Sequence, residues 1–274
     1  SSMINTGPDL LNPLLDVLIR FRLHDIPVSC DLSAFYHSVD IPESDRNFYR
    51  FFWFRNQDDP TSPIMEFRLR IHLFGGNSSQ SCVIHCLWDI ISHAIEKAIL
   101  SRQEAEQIKS SFYSDDCLRS FTSTADAIQT YKILVPLLRE NDFHLTKFTS
   151  SSVDFLKALP PDLLHPNIAD LKIGGKRTLV LGVHWLLDSD EFTYVAPAVD
   201  QSDVPHQFTK RSLLSHLASI YDPMGLIGFA IVPEKIILQD AFRRGLGWDD
   251  LLPDSLQKEV QVWLSNLNRL QELR

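Results

Sequence analysis

Three aspartates in two apolar stretches are the residues of this sequence best suited to chemistry. Asp115 and Asp116 are adjacent within Phe-Tyr-Ser-Asp-Asp-Cys-Leu at positions 112–118, and Asp31 lies within the apolar stretch 26–39. Burying an unpaired carboxylate is very costly, so the adjacent pair must lie in a tight hairpin turn or face a cation. A strand carrying Asp31 beside such a hairpin brings three carboxylates together. Mg²⁺ takes oxygen ligands of this kind, and two-metal nucleotidyl transfer needs such a set.

Residue type and spacing alone leave two interpretations of these aspartates open. An isolated Asp-Asp pair is more often a solvated turn, and carboxylates at strand ends are more often surface residues than metal ligands. The surrounding motifs favour the metal site. They are the Tyr-x-Asp-Asp pattern at 113–116, Tyr36 five positions after Asp31, and Phe-Gly-Gly-Asn-Ser-Ser at 74–79.

Together these motifs resemble the palm of a reverse transcriptase, and the match is closest to the polymerases of BEL/Pao-type LTR retrotransposons. The resemblance covers nearly the whole chain in the right order, including the stretches 7–12, 20–22, 145–147, 181–185 and 215–226. It implies the lineage of an RNA-directed DNA polymerase, with Mg²⁺ or Mn²⁺ as cofactor and an RNA or DNA primer-template as partner.

The resemblance also implies a role for each candidate residue. Asp31 and Asp115 bridge two metal ions roughly 3.5–4 Å apart, one activating the primer 3′-hydroxyl and one holding the triphosphate. Asp116 adds charge more than direct ligation. Three further residues are implied to bind the nucleotide: Tyr36 under the sugar, where it excludes a 2′-hydroxyl, Gly75 by close backbone approach, and Lys147 near the leaving pyrophosphate.

Each nucleotide-binding residue has a plainer interpretation. Tyr36 is also typical of a core aromatic after a strand, Gly75 of a turn before a helix, and one lysine after a strand is weak evidence. The sequence departs from the family at Gln80, where proline is common, and at Ala34, where a longer polar residue is usual.

A further departure from the family concerns the fingers, the region that precedes the first catalytic aspartate and carries basic residues for the triphosphate. It is missing upstream of Asp31. Ser1 and Ser2 are typical of a cloning scar and Met3 of a natural start. Either the sequence is trimmed, or the gene begins at the palm. Without fingers, positioning of the triphosphate is expected to suffer.

Composition predicts an intracellular protein, cytoplasmic or nuclear, with no membrane partner. The 274 residues are 44% hydrophobic and 22% charged, which is ordinary for a soluble globular chain. No apolar run has the length of a membrane-spanning helix, and four cysteines fit reduced thiols. The net charge of −9 predicts weak binding of nucleic acid by this chain alone, because phosphate contacts need basic residues.

The periodicity of apolar residues predicts an α+β fold. It indicates helices, strands and turns that fit a reverse-transcriptase-like palm of antiparallel sheet with packed helices, a β-hairpin, and a helical thumb-like region. The predicted division is a palm at 1–150, a linker with a primer-grip-like hairpin at 151–200, and helices at 201–274, with a boundary near Pro197–Pro205. The predicted palm helices include 42–46 and a long one at 81–109, and the hairpin pairs 178–185 with 191–195.

Two other patterns could bind ligands or partners. Cys82, His85 and Cys86 have the spacing of a helical metal site, but no second ligand pair accompanies them. The last helix carries an apolar stripe that usually packs on its own domain and could also serve a protein partner or self-association; it consists of Leu256, Val260, Trp263, Leu264, Leu267 and Leu270.

Two functions from different classes follow. One is an active RNA-directed DNA polymerase using two-metal nucleotidyl transfer. The other is a retrotransposon-derived fragment without full polymerase activity alone, adopted by a host as a binding or scaffold module for protein or RNA. The acidic balance and the missing fingers favour the second for this chain.

Overall fold

The computed structural model describes residues 4–168, 170–194 and 207–269. The chain divides into two compact units, residues 1–172 and residues 173–274. This division differs from the predicted segments, because the strands of the second unit are grouped with the C-terminal helices. The boundary predicted near Pro197–Pro205 lies outside the described residues.

The first unit combines an antiparallel sheet with helices, as the predicted α+β class requires. Its elements in chain order are α1 (Leu14–Phe21), β1 (Ile26–Ser33), β2 (Arg50–Phe54), β3 (Ile64–Arg68), α2 (Ser79–Glu96), α3 (Arg102–Lys109), β4 (Phe112–Tyr113), β5 (Asp116–Phe121), α4 (Thr124–Arg139), β6 (His144–Ser150) and α5 (Val153–Lys157). Four of the strands form one sheet in the order β4-β5-β1-β6, and β2 pairs with β3 in a separate two-stranded sheet.

Strand alternation decides which side chains of β1 enter the core. Val28, Cys30 and Leu32 are buried, which is the period of two expected of a strand with one face on a core. On this face α4 packs across β1, β5 and β6, and the ring of Tyr131 in α4 meets Phe148 edge-on at 5.0 Å. Asp31 falls between the buried residues and therefore lies on the other face, half-buried.

Two predicted helices of this unit are wrong in extent. The single helix predicted at 81–109 is two helices, because Ala98 has φ +54° and Ser101 starts α3 with a capping box to Glu104. The helix predicted at 42–46 is a turn that leads into one 3₁₀ turn, Arg46–Phe48. Short acidic segments form such turns readily, since one helical turn gains too few hydrogen bonds to persist alone.

In its described residues, the second unit holds a three-stranded antiparallel sheet and three helices. These are β7 (Arg177–Val180), β8 (Val183–Leu186), β9 (Glu191–Thr193), α6 (Lys210–Ser219), α7 (Gly228–Arg243) and α8 (Asp254–Arg269). The predicted hairpin across 187–190 is present, because β8 pairs with β9, although residue 195 lies outside the described residues. The stretch 178–185, predicted as one strand, is two strands, because Leu181 and Gly182 have φ +46° and +80° and turn the chain back. A side chain at Gly182 would meet the ring of Tyr221 at 2.6 Å.

The apolar stripe of the last helix is buried. Leu256, Val260 and Trp263 are at most 5% exposed and pack in one cluster with residues of α6 and α7. The indole Nε1 of Trp263 donates to the Ala230 carbonyl at 2.6 Å. The stripe therefore packs on its own unit and is not a free docking face; Leu270 lies outside the described residues.

A carboxyl group is also buried in the helical unit. Glu234 of α7 is fully buried, and within the described residues neither of its oxygens has a hydrogen-bond partner. Burial alone raises its pKa to about 8, because a charged carboxylate is poorly solvated there. Among the described residues, no helix is long and apolar enough to cross a membrane.

Candidate functional site

The hairpin of β4 and β5 carries the adjacent aspartates, as predicted, with Asp115 in its turn and Asp116 as the first residue of β5. Tyr113 pairs with Asp116 across the hairpin, so Ser114 and Asp115 form the connection. Ser114 adopts φ +57°, the left-handed conformation that two-residue hairpin turns require. The hairpin is short because its two strands share only two residue pairs. The Asp-Asp pair is thus fixed at the end of the sheet, where water and ligands can reach it.

The register of the sheet brings Asp31 to this turn. β1 runs antiparallel to β5 and places Asp31 directly opposite Asp116. The Leu32 amide donates to the Asp115 carbonyl at 2.8 Å, which ties the turn to the central strand. Directly opposed residues in an antiparallel pair have Cβ atoms about 4.5–5.5 Å apart. All three predicted aspartates therefore lie together at one end of the sheet.

The three carboxyl groups share one electrostatic environment. The pKa of Asp116 is raised to about 7, first by burial and then by the negative charges of Asp115 and Asp31, while Lys147 acts in the opposite direction. A carboxyl group whose neighbours are carboxylates resists ionisation because the like charges repel. The site is therefore a place where added positive charge is favoured.

Lys147 supplies a positive charge at the site. Its Nζ lies 3.0 Å from Asp31 Oδ2. The pairing of β1 with β6 shifts register between Ser29 and Asp31, and Lys147 has φ +55° at that point. Such a β-bulge inserts an extra residue and re-aims a side chain. The bulge explains how a lysine in a strand reaches a carboxylate on the neighbouring strand.

The donor chemistry at this turn fits Mg²⁺ or Mn²⁺, which bind carboxylate oxygens. The side chains are not arranged as a finished ligand set, because no group of three or more His, Cys, Asp or Glu in the described part of the chain is placed to hold a metal ion. Lys147 engages one Asp31 oxygen in this arrangement. Metal binding thus requires side-chain rotation and competition with that ammonium group.

Tyr36 is connected to the turn through Gln80. The Tyr36 hydroxyl donates to Gln80 Oε1, and Gln80 Nε2 donates to Ser114 Oγ at 3.2 Å. Ala34 in the left-handed conformation begins the 3₁₀ turn that carries Tyr36. Gln80 therefore has a role at the site that was not predicted from the sequence, where it stood out only as a departure from proline. Proline could make neither hydrogen bond. The replacement of proline by a residue with a polar side chain is therefore the sequence feature that could have indicated this role.

Gly75 lies in the loop before α2, as predicted. It has φ +85°, and a Cβ added to it would have no atom within 4 Å, so the space beside it is open. Its neighbour Phe74 is 85% exposed and meets the ring of Tyr36 edge-on at 5.8 Å. Gly75 and Tyr36 therefore lie on neighbouring parts of one surface, and through Gln80 this surface continues to the aspartate turn.

Cys82 and Cys86 are free, partly buried thiols in α2. Burial raises the pKa of Cys86, and the neighbouring Cys82 raises it further. Thiols with raised pKa are poor metal ligands and poor nucleophiles, since the thiolate is the reactive form.

Comparison with protein families gives a match for part of the second unit. Residues 209–274 match a family model described as a Pao retrotransposon-like RNaseH-like domain. Among the described residues this segment contains α6, α7 and α8. No curated protein matches the chain.

Comparison with solved structures relates nearly the whole chain to reverse transcriptases in fold. One is a foamy viral protease-reverse transcriptase dRH in complex with ds DNA, with a TM-score of 0.56 and 13% identity over 94% of this chain and 37% of that chain. Another is a foamy viral protease-reverse transcriptase in complex with RNA/DNA hybrid, with a TM-score of 0.57 and 12% identity over 95% of this chain and 30% of that chain. The chain thus spans about a third of each relative.

The family model is named for a retrotransposon, and the two solved structures are foamy viral protease-reverse transcriptases. At these identities the structural likeness shows a shared α+β fold and nothing of activity. The matching family model names an RNaseH-like domain, not a palm or thumb.

Proposed function

We propose that the aspartate turn is the metal-binding centre of a reverse-transcriptase palm, built for template-directed nucleotidyl transfer. The observation that carries the proposal is the register that sets Asp31 opposite Asp116 and beside Asp115. Three carboxylates at one sheet end have few structural uses, because their repulsion costs free energy unless a cation offsets it. The reverse-transcriptase-like fold and the retrotransposon family model at 209–274 support the same conclusion.

Each residue has a role in this proposal. Asp31 and Asp115 hold Mg²⁺ or Mn²⁺, and Asp116 adds negative charge that strengthens metal binding. When bound there, such an ion would activate the primer hydroxyl and offset the charge of the triphosphate. Lys147, released from Asp31, neutralises phosphate. Tyr36, held by Gln80, bounds the sugar, and the open space at Gly75 admits the nucleotide.

Primer extension tests this function. The chain is incubated with an RNA template, a DNA primer, deoxynucleotides and Mg²⁺ or Mn²⁺. We expect extension that is lost in Asp115→Asn, because one ligand oxygen becomes an amide. Asp142→Asn is the matched control, since Asp142 is an exposed aspartate on the α4–β6 turn with φ +64°, which asparagine tolerates. Equal extension by the wild type and Asp115→Asn overturns the proposal.

Binding of Mn²⁺ gives a second readout that needs no template. The paramagnetic ion broadens NMR signals of nearby groups, and we expect broadening that is strongest at the aspartate turn, Leu32 and Lys147 and falls off with distance from them. In Asp115→Asn this broadening should shift to higher Mn²⁺ concentration. Broadening spread over other acidic surfaces with none at the turn counts against the proposal.

A binding or scaffold module is the second candidate function, and one surface favours it. A mostly apolar groove of about 650 Å³ lies between α7 and α8 and is lined by Phe229, Pro233, Ile236, Val262 and Trp263. Phe229 and Val262 are 66% and 63% exposed. Grooves of this kind bind the apolar face of a helix. If this is the function, amphipathic helical peptides should shift the NMR signals of the exposed Phe229 and Val262, and Val262→Asp should abolish the shift at Phe229.

A further inference from the structure

The two-stranded sheet of β2 and β3 exposes large apolar side chains on both faces. Phe52 is 71% exposed, Trp53 51%, Ile64 66% and Met65 45%. A lone hairpin of two strands is marginally stable in water and gains stability from further strands. The apolar residues are therefore placed where additional strand pairing would shelter them.

The outer edge of β2 has backbone groups directed away from its partner. The Arg55 amide donates to the Pro63 carbonyl and the Leu69 amide to the Tyr49 carbonyl, which marks those opposed residues as hydrogen-bonded pairs. In an antiparallel ladder such pairs alternate with non-bonded ones. Arg50, Phe52 and Phe54 consequently turn their N–H and C=O groups outward. Within the described residues this sheet has no strand beyond β2.

The sequence of β2 is complementary to itself about Phe52. In an antiparallel pairing of two copies centred there, Phe52 faces Phe52 and Arg50 faces Phe54, and these are the residues with outward backbone groups. On the opposite face Phe51 meets Trp53. Aromatic cross-strand pairs stabilise such ladders, and arginine over an aromatic ring adds a cation–π contact.

The charges on the hairpin allow pairing at β2 and oppose it at β3. Arg50 is paired with Glu66 of β3 at 3.1 Å, so its charge is already offset. The same pairing centred on β3 would set Glu66 against Glu66, and like charges directly opposite are destabilising. β2 also lacks the proline and lysine residues that commonly protect an edge strand. Pairing is therefore more favourable at the edge of β2 than at the edge of β3.

We propose that this chain forms a two-fold symmetric dimer through β2, in which two hairpins join into one four-stranded antiparallel sheet. A two-fold contact uses the same strand from each copy and is closed, so it ends at a dimer. The proposal is independent of the polymerase function, because none of the aspartate-site residues lies in β2 or β3.

Sedimentation velocity over a concentration series tests this proposal. We expect the wild-type chain to shift from monomer to dimer with rising concentration. Phe52→Lys places two like charges across the symmetry axis and should weaken dimerisation by roughly tenfold or more, equivalent to about 1.4 kcal/mol. Phe52 is exposed, so the monomer should keep its fold, which circular dichroism verifies. Ile64→Lys, an equally exposed apolar residue on β3, is the matched control and should still dimerise.

A charge-swap experiment separates strand pairing from general adhesion of apolar surfaces. Phe52→Glu alone should be monomeric, like Phe52→Lys. Because Glu66 lies opposite position 52 in each hairpin and contributes in every sample, the comparison is with the single variants: an equimolar mixture of the two should form a heterodimer tighter than either homodimer. A wild type that stays monomeric, variants that dimerise unchanged, or a mixture that does not pair each overturns the proposal. So does assembly beyond the dimer that Phe52→Lys leaves intact.

Discussion

Two carboxyl groups with raised pKa lie in the two units, and their surroundings differ. Asp116 has a pKa of about 7 because of burial and the charges of Asp115 and Asp31. Glu234 has a pKa of about 8 because of burial alone. A raised pKa therefore does not by itself mark a ligand site. Repulsion between neighbouring carboxylates can be relieved by a cation, whereas the cost of burial at Glu234 has no such remedy.

The largest expected effect is on the stability of the helical unit. The pKa of Glu234 rises from an ordinary 4.5 to about 8 on folding, so the folded state holds the proton more tightly. The contribution of Glu234 to the free energy of unfolding is therefore fully present below about pH 4 and is lost as the pH rises through about 8. Glu234→Gln removes the charge and should raise the free energy of unfolding at pH 9 by about 2–4 kcal/mol. Urea denaturation at pH 4 and pH 9 measures this, and equal changes at both pH values contradict it.

The next effect is the response of the two carboxyl groups to Mg²⁺. A cation held beside Asp116 should lower its pKa by roughly one to two units, because an opposite charge favours the carboxylate. The pKa of Glu234 should stay unchanged. NMR titration of the side-chain carboxyl carbons with and without Mg²⁺ measures both groups in one sample. Parallel shifts in the two pKa values would indicate a general salt effect instead of a site.

A smaller effect is expected when one neighbouring charge is removed. Asp115→Asn should lower the pKa of Asp116, since a repelling carboxylate is lost, by roughly half a unit to one unit. Asp142→Asn, the same chemical change at an exposed turn, should leave it in place. The carboxyl titration of Asp116 distinguishes them, and an unchanged value in Asp115→Asn would mean that burial alone sets the pKa.

The smallest effect is expected at Lys147. Lys147→Met keeps an unbranched apolar side chain but removes the ammonium group that lowers the pKa of Asp116. That pKa should therefore rise, by a few tenths of a unit, because Lys147 is about half exposed and water screens its charge. Lys157→Met is a control at a solvated lysine of α5. A fall in the pKa of Asp116 would contradict the assigned contact.

The sequence predicted the parts of the site that depend on local chemistry. The Asp-Asp pair required a hairpin because a buried strand could not hold two unpaired carboxylates. Asp31 was predicted to lie near the pair because it is carried by a strand beside this hairpin. The α+β class followed from the periodicity of apolar residues. Palm and thumb remain predictions drawn from the resemblance.

The parts that could not be predicted depend on long-range register or on unusual backbone angles. Lys147 reaches Asp31 through a bulge in which it has φ +55°. A glycine in the sequence would have indicated this left-handed conformation, whereas a lysine does not. Gln80 meets Ser114 only because α2 packs beside the hairpin. The stripe of α8 could equally have faced a partner, since periodicity shows that one face is apolar and not what covers it.

The bond from the Leu32 amide to the Asp115 carbonyl has a consequence for the kinetics of ligand entry. Because it fastens the turn to the central strand, the peptide groups are already in their final place and only side-chain torsions need to change. Such rotations take picoseconds to nanoseconds at exposed positions, whereas loop rearrangements take far longer. The entropy lost on binding is then that of a few rotamers. The turn should admit a small ion as fast as the ion sheds its water.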